Sequence, residues 1–388
     1  MTWLVMGPRL NAETAAKGHI TIVDFILDDM GVQLKRITGI VCAALILFCF
    51  VFYISSQFQA AGNALDDVFG LGMAEAVILG AAVIVAYCLL GGFWAASVTD
   101  ALQAGVMLLA CILVPIATVM AAGGIGSVIE TLHTTEHHDY FSFAEGAAGM
   151  AGIGVAMGLI GTGLGALGQP QLLNRIMAVR TQSERKKAAA ITIGWGAIIY
   201  TGLICLAFAG RALNIETGGE SLFFAAAQAY LPSVVAGVVI AAVLSAVMST
   251  VDSLLLAAAS AVSHDSGIKY TSPKRALFFG RLAMAAVAII AVILTLKLPQ
   301  EIFSRVLFSW VALGAAFGPV ILVQCVGWKV RDGFKLAAII LGFVIAVSAY
   351  NVAGPAADVI EKWGSWVVGL IILTLGKTSD PRLRSLSR

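Results

Sequence analysis

The sequence predicts an all-α, polytopic membrane protein, and three observations carry that prediction. First, 60% of the residues are hydrophobic and only 12% are charged, where a soluble domain is about half apolar and about a quarter charged; the mean hydropathy is +0.94. Second, apolar stretches recur at 34–62, 73–93, 96–121, 147–172, 187–212, 233–262, 278–298, 301–327, 334–353 and 362–375. A crossing helix needs about 20 such residues, so these read as ten spans, the last being short. Third, the basic residues alternate from side to side. The alternation of about ten residues that marks a membrane β-barrel is absent.

Charge placement sets the orientation. Of 24 Lys and Arg, all but Arg211, Lys297, Arg305 and Lys362 fall before residue 37, at 175–187, at 269–281, at 329–335 or from 377 onward. Short basic loops stay cytoplasmic, so both ends are expected there, with the chain in the cytoplasmic membrane and lipid around it. The net charge of +2 is explained by this bias and calls for no nucleic-acid partner.

The elements follow in order. Residues 1–33 read as a cytoplasmic stretch, in which ITIVDFILDD at 20–29 makes a short amphipathic helix docked on the inner surface. The opening MTWLVMG is too short for a signal peptide. A core of about eight transmembrane helices spans 34–327, two further helices lie within 328–376, and 377–388 forms a basic tail. In the third span, GGFWAASVTDALQ places Asp100 just inside the cytoplasmic start. The outer loop HTTEHHDYF, 133–141, clusters His with acids and reads as a solvated loop rather than a metal site. The fourth span is interrupted by GTGLGALGQP, Gly161 to Pro170. Glycine weakens a helix and proline removes a donor, so unwinding is expected. Loose backbone at bilayer depth is tolerated where it is buried or lines a cavity, and broken midplane helices build substrate sites in transporters; close packing through small residues is the alternative. Trp195 and Tyr200 in the fifth span read as packing residues. SLFFAAAQAYLP, 221–232, forms a short outer helix.

The sixth span holds AVMSTVDSLLL, with Ser249, Thr250, Asp252 and Ser253 inside an apolar helix. Ala246, Ser249, Thr250 and Ser253 recur at spacings of three and four, hence on one face. A small hard cation wants oxygen ligands of this kind. A helical Ser or Thr also satisfies itself on the carbonyl four residues back, and spacing alone favours that plainer use. All six cysteines lie inside spans without metal-ligand spacing and read as free thiols. No triad, metal cluster or phosphate loop is present in the sequence, which excludes the usual enzyme classes. No output module follows residue 377, which argues against a sensor. Hydroxyls do not titrate near neutral pH, so the sixth span suits sodium better than protons.

Four blocks in this order, GGFWAASVTDALQ, GALGQPQLLNRIMA, AAVLSAVMSTVDSLL and FSWVALGAAFGPVIL, resemble the sodium:solute symporter family. TIVDFI, GGFWAASVTD and LGQPQLLNRIMA are similar to its proline-transporting branch. The resemblance implies a LeuT-like fold of two inverted five-helix repeats. It implies sodium, as coupling ion, bound by the Ala246 carbonyl and the Ser249 and Thr250 hydroxyls, and a small-molecule substrate at Thr162, Gly163, Ala166, Gln169 and Pro170. Asp100 matches an acidic position on the ion's inward exit path, though a helix N-terminal carboxylate stabilised by the dipole reads as well. For Asp252, with Ser253 beside it, a structural or ion-supporting part is expected. The expected function is sodium-coupled symport of a small organic solute, an amino acid such as proline, by alternating access; a non-transporting or sensor-like product is the alternative.

Two departures qualify the resemblance. Thr162 and Ala166 stand where the proline branch has a tryptophan and a tyrosine, so the pocket is roomier and another small solute comes into play. The family also has two helices and the start of a third ahead of MTWLVMGPRL, among them the first core helix, so the chain reads as an N-terminally truncated product or record.

Overall fold

The structure is a computed structural model that describes residues 2–90, 93–136, 138–141, 149–217, 219, 221–268, 270–298, 301–352 and 355–378. Part of the outer loop cluster, His137 included, and the tail beyond Thr378 lie outside these residues. Among the described residues no strand forms, and Val330 and Lys377 make an isolated bridge.

A π turn, Thr2–Met6, leads into α1 (Gly7–Lys17), followed by α2 (Ile22–Leu27), α3 (Val32–Phe69), α4 (Met73–Leu90), α5 (Phe93–Ala121) and α6 (Ile125–Thr135). Then come α7 (Gly149–Thr162), a 3-10 turn Gly163–Gly168, α8 (Pro170–Met177), α9 (Gln182–Ala212), α10 (Leu222–Tyr230) and α11 (Ser233–Ser260). The chain closes with α12 (Pro273–Lys297), α13 (Ile302–Cys325), α14 (Asp332–Tyr350), α15 (Pro355–Val359) and α16 (Ser365–Leu375), the last two joined by a π turn, Ile360–Gly364.

Among the described residues, seven helices are long and apolar enough to cross a membrane: α3, α5, α9, α11, α12, α13 and α14. The pair Gly152–Gly168 and Pro170–Met177, bent by 55°, makes an eighth crossing if taken together. The remaining apolar stretches of the sequence form α4 and the α15–α16 run, which are shorter. The chain is a multi-pass membrane protein. Large side chains such as Leu102, Met120, Tyr200 and Ile289 are exposed on its outer surface, as hydrocarbon permits.

The packing is reciprocal. Helix α3 packs on α13 and α12, while α11 packs on α5 and α4, and α3 and α11 pack on each other. The packing partners of α3–α4–α5 thus correspond to those of α11–α12–α13, the pattern inverted repeats produce. Polar cross-links pin the centre. The fully buried Arg305 donates to Ser55 Oγ at 2.8 Å and Gln59 Oε1 at 3.1 Å, and also to the Leu298 carbonyl. Ser309 Oγ donates to the Cys49 carbonyl at 2.8 Å, and Thr295 Oγ1 to the Ser55 carbonyl at 2.9 Å. Such interhelical bonds average about 0.6 kcal/mol each in a membrane protein, so they fix register more than they supply stability.

The first 33 residues hold two helices where the sequence suggested one. The shorter, α2, does not lie flat on a surface: Ile22, Val23, Phe25, Ile26 and Leu27 are all buried. A capping box starts it, with Thr21 Oγ1 accepting from the Asp24 amide at 3.3 Å and Asp24 Oδ2 accepting from the Thr21 amide at 3.2 Å. Its side chains then clasp distant elements. Thr21 Oγ1 donates to Asp265 Oδ1 at 2.6 Å and His264 Nε2 lies 2.9 Å from Asp24 Oδ2, both just past α11; the Ile22 amide donates to Asn174 Oδ1 on α8 at 2.9 Å. Burial pushes the Asp24 carboxyl up, but the His264 contact and the Ile20 and Thr21 amides outweigh it and hold it at about 2.

Candidate functional site

In α11 the face is decided by packing. Val247, Val251, Leu254 and Leu255 are buried, which turns Ala246, Ser249, Thr250 and Ser253 onto a half-buried side. Thr250 Oγ1 donates to the Ala246 carbonyl at 3.0 Å, and Ser253 Oγ to the Ser249 carbonyl at 2.9 Å. These are the self-satisfying bonds that spacing alone suggested. They do not use up the hydroxyl oxygens. A hydroxyl that gives its proton to a carbonyl keeps two lone pairs, whereas the Ala246 carbonyl already takes both the helical amide of Thr250 and its hydroxyl. The Thr250 hydroxyl oxygen therefore keeps its acceptors open, and a hard cation takes such acceptors, sharing the Ala246 carbonyl when the hydroxyl turns away from it.

One turn further on sits a charged cluster. Asp100 on α5 is buried, and its Oδ2 takes an ion pair from Arg175 on α8. The same guanidinium nitrogen donates to Ser253 Oγ at 2.5 Å, so one side chain joins α5, α8 and α11. Asp252, also buried, receives the Tyr87 hydroxyl at 3.4 Å, and Tyr87 in turn bonds Thr99. Among the described residues, Asp100 Oδ1 and Asp252 Oδ1 are buried without a hydrogen-bond partner. The guanidinium is bonded to one of the two carboxylates, and one oxygen of each carboxylate is buried and unpaired among the described residues. Such oxygens are costly unless something positively charged visits them. A cavity of about 110 Å³ adjoins the cluster, lined by Ala96, Ser97, Gln171, Asn174, Arg175 and Ser260 among others.

The interrupted helix is broken as the glycines and proline dictate. Its helical turns end at Thr162, tighten into the 3-10 turn, and restart at Pro170, whose missing N–H costs nothing at a first helical position. The turn is jammed against α13. A Cβ on Gly168 would collide with the Leu313 carbonyl, and one on Gly165 would lie 2.9 Å from the Trp310 carbonyl. Gln169 secures the joint: fully buried, it donates from Nε2 to the Trp310 carbonyl at 3.1 Å and the Gly165 carbonyl at 3.2 Å, and its Oε1 accepts from Gln171.

The five residues expected around a solute therefore separate. Thr162, Gly163 and Ala166 lie on an accessible face of the turn, while Gln169 and Pro170 are buried and support it. Asp100 and Ser253 are brought together through Arg175, and Asp252 joins the same cluster through its neighbours. Arg175 was missed in the sequence because it reads as one more basic residue of a cytoplasmic loop. Its signal was there in part: a lone Arg in the last turn of the apolar LLNRIMA. Tyr87 and Thr99 gave no signal of their own.

The profile of the sodium:solute symporter family matches residues 1–342. The chain is 32% identical over 353 residues to the high-affinity proline transporter PutP of Bacillus subtilis, covering 88% of this chain and 73% of that protein. It is 32% identical over 350 residues to the osmoregulated proline transporter OpuE of the same organism, covering 88% and 70%. To the sodium/proline symporter of Escherichia coli it is 29% identical over 363 residues, covering 89% and 71%. The fold is similar to that of a Na+-coupled sialic acid symporter solved in a substrate-bound outward-open state, with a TM-score of 0.73 at 14% identity, covering 98% of this chain and 85% of that one.

Proposed function

This chain belongs to the sodium:solute symporter family, and from that premise we propose that the solute it carries with sodium is a small amino acid, proline being the first to test. It is a transporter of LeuT-like fold, not an enzyme, and sodium is its coupling ion. Proline transport by several of its relatives supports the choice of solute.

The observation that carries the ion assignment is the open acceptor set on α11. Sodium takes the Ala246 carbonyl with the Ser249 and Thr250 hydroxyls; before it arrives, the Thr250–Ala246 bond of 3.0 Å holds two of these oxygens in register. The solute lies at Thr162, Gly163 and Ala166, where the α-helix gives way to a 3-10 turn whose altered backbone bonding suits recognition of a carboxylate or an amine. Gln169 and Pro170 keep that turn against α13 and do not touch the solute.

Arg175 acts as the inner gate. While it bridges Asp100 and Ser253, α5, α8 and α11 are held together and the way inward is shut. Release requires the guanidinium to let go, and the unpaired oxygens of Asp100 and Asp252 then receive the departing cation. Coupling arises because sodium and solute both favour the same arrangement of α11 and the broken helix. Both termini face the cytoplasm, which the basic loops support.

The deciding experiment is uptake of radiolabelled proline into proteoliposomes holding the purified chain, under an inward sodium gradient. Accumulation that collapses when potassium replaces sodium is the expected result. Uptake that is insensitive to sodium removes the ion assignment; uptake of other amino acids but not proline removes only the choice of solute.

A further inference from the structure

A second cavity lies away from the symport site, where α1, α2 and the end of α13 meet. Its volume is about 180 Å³. That is below the ~300–1,000 Å³ of drug-sized sites, so its occupant is small. Arg9, Lys17 and Lys329 face Glu13, Asp28 and Asp29 around it. Arg9 Nε pairs with Glu13 at 2.5 Å, Lys17 pairs with Asp28, and Lys329 with Asp29. The walls therefore balance in charge and select neither a simple anion nor a simple cation.

Two groups in these walls have capacity to spare. Gln324 is 8% exposed and lines the cavity. Its Nε2 donates to the carbonyls of Phe25 at 3.2 Å and Ile26 at 3.4 Å, which fixes the amide's orientation and leaves Oε1 buried without a donor. Arg9 is the other. Only its Nε is engaged among the described residues. Its two terminal nitrogens rest where a Cβ of residue 327 would stand, 2.6 and 2.8 Å away, and Gly327 has φ +87°. The backbone requires glycine there, and the guanidinium lies over it. The planar fork of such a guanidinium matches a carboxylate bidentately. Trp328 closes one wall, its ring covered by Lys377 at 4.1 Å.

We infer that this cavity binds a small zwitterion, an α-amino acid, with its carboxylate on the Arg9 fork and its N–H donor on Gln324 Oε1. This deepens the proposed function, since the carried amino acid is itself such a zwitterion, but the site contains none of the α11 oxygens and needs no sodium. It sits beside the tips of α2 and α13, on the face where the carrier would release its solute, so occupancy reports product there.

The test is equilibrium binding of tritiated L-proline to the purified full chain in nanodiscs, with sodium and with potassium. A sodium-independent component is expected. Arg9→Met and Gln324→Leu each weaken it about tenfold or more while the sodium-dependent component stays, which also shows that the variants fold. Gln324→Glu, which offers a full charge to the ammonium, tightens it. Glycine competes for it, whereas acetate and methylamine, each carrying one charge, do not. Absence of the sodium-independent component, its indifference to both weakening variants, or equal competition by acetate would overturn the inference. Loss of the sodium-dependent component alone would instead count against the symport reading and leave this one standing.

Discussion

Arg175 bonds Asp100 and Ser253 with one nitrogen, and so ties together three helices that are 75 and 78 residues apart in the chain. The carboxylate is buried and the guanidinium is 39% exposed, which makes this a half-wet charge-assisted link worth about 1.5–3 kcal/mol. Arg175→Gln should shift the equilibrium toward an opened inner side by roughly tenfold or more. A cysteine placed at Ser97, on the adjoining cavity, reads this out: its labelling by an impermeant thiol reagent from the inner face rises in the variant. Equal labelling in both proteins would remove Arg175 as a gate.

Ser249→Ala and Thr250→Ala should each raise the sodium concentration for half-maximal uptake by about tenfold, or about 1.4 kcal/mol. The maximal rate falls less in Ser249→Ala, because Thr250 also holds the Ala246 carbonyl. Sodium at about 100 times its dissociation constant should stabilise the wild type by about 2.7 kcal/mol, seen as a rise in Tm that lithium or potassium does not reproduce equally. A Tm rise that survives in the double variant would place the ion elsewhere.

Gln169→Met keeps the volume but leaves the carbonyls of Gly165 and Trp310 without their buried donor. A loss of about 1–3 kcal/mol in stability is expected, measured as a lower Tm with sodium affinity retained. Thr162→Ser, on the open face, should leave Tm alone and alter the KM for solute. The opposite pattern would mean that Gln169 touches solute and Thr162 does not.

The Asp24–His264 contact predicts an acid signature. The folded carboxyl sits at about 2, below its ordinary 3.8. Stability from this group is therefore complete above its unfolded value and is lost as pH falls through the folded one. In His264→Ala the folded value moves back toward the ordinary range, so Tm should drop less steeply between pH 4 and pH 2, about the span of this titration. Parallel Tm curves in the two proteins would show that the contact carries no net free energy.

The sequence made the helices plain because hydrocarbon demands long apolar runs, and the break at Gly161–Pro170 was plain because those residues oppose helix locally. The face formed by Ala246, Ser249, Thr250 and Ser253 followed from helical period alone. What stayed hidden were pairings across distance. Nothing near Arg175 names Asp100, and nothing near Asp252 names Tyr87. Gln169 looked like a solute contact because it flanks the break, yet the carbonyl that claims it belongs to Trp310, which is 141 residues away. The burial of α2 was hidden for a like reason: its apolar side chains suit a lipid surface as well as a protein one, and only the docked partners choose between them.

The clasp made by α2 has a consequence for thermodynamic efficiency. A helix of six residues holds Asn174 behind the broken helix and Asp265 behind α11, so neither tip swings without tugging the other. With the ion and solute sites proposed above, tightness of stoichiometry would be a mechanical attribute of this linker. Softening it, for instance by Thr21→Val, should yield a carrier that still binds both passengers but squanders the gradient through slippage, seen as sodium flux that no longer tracks solute flux.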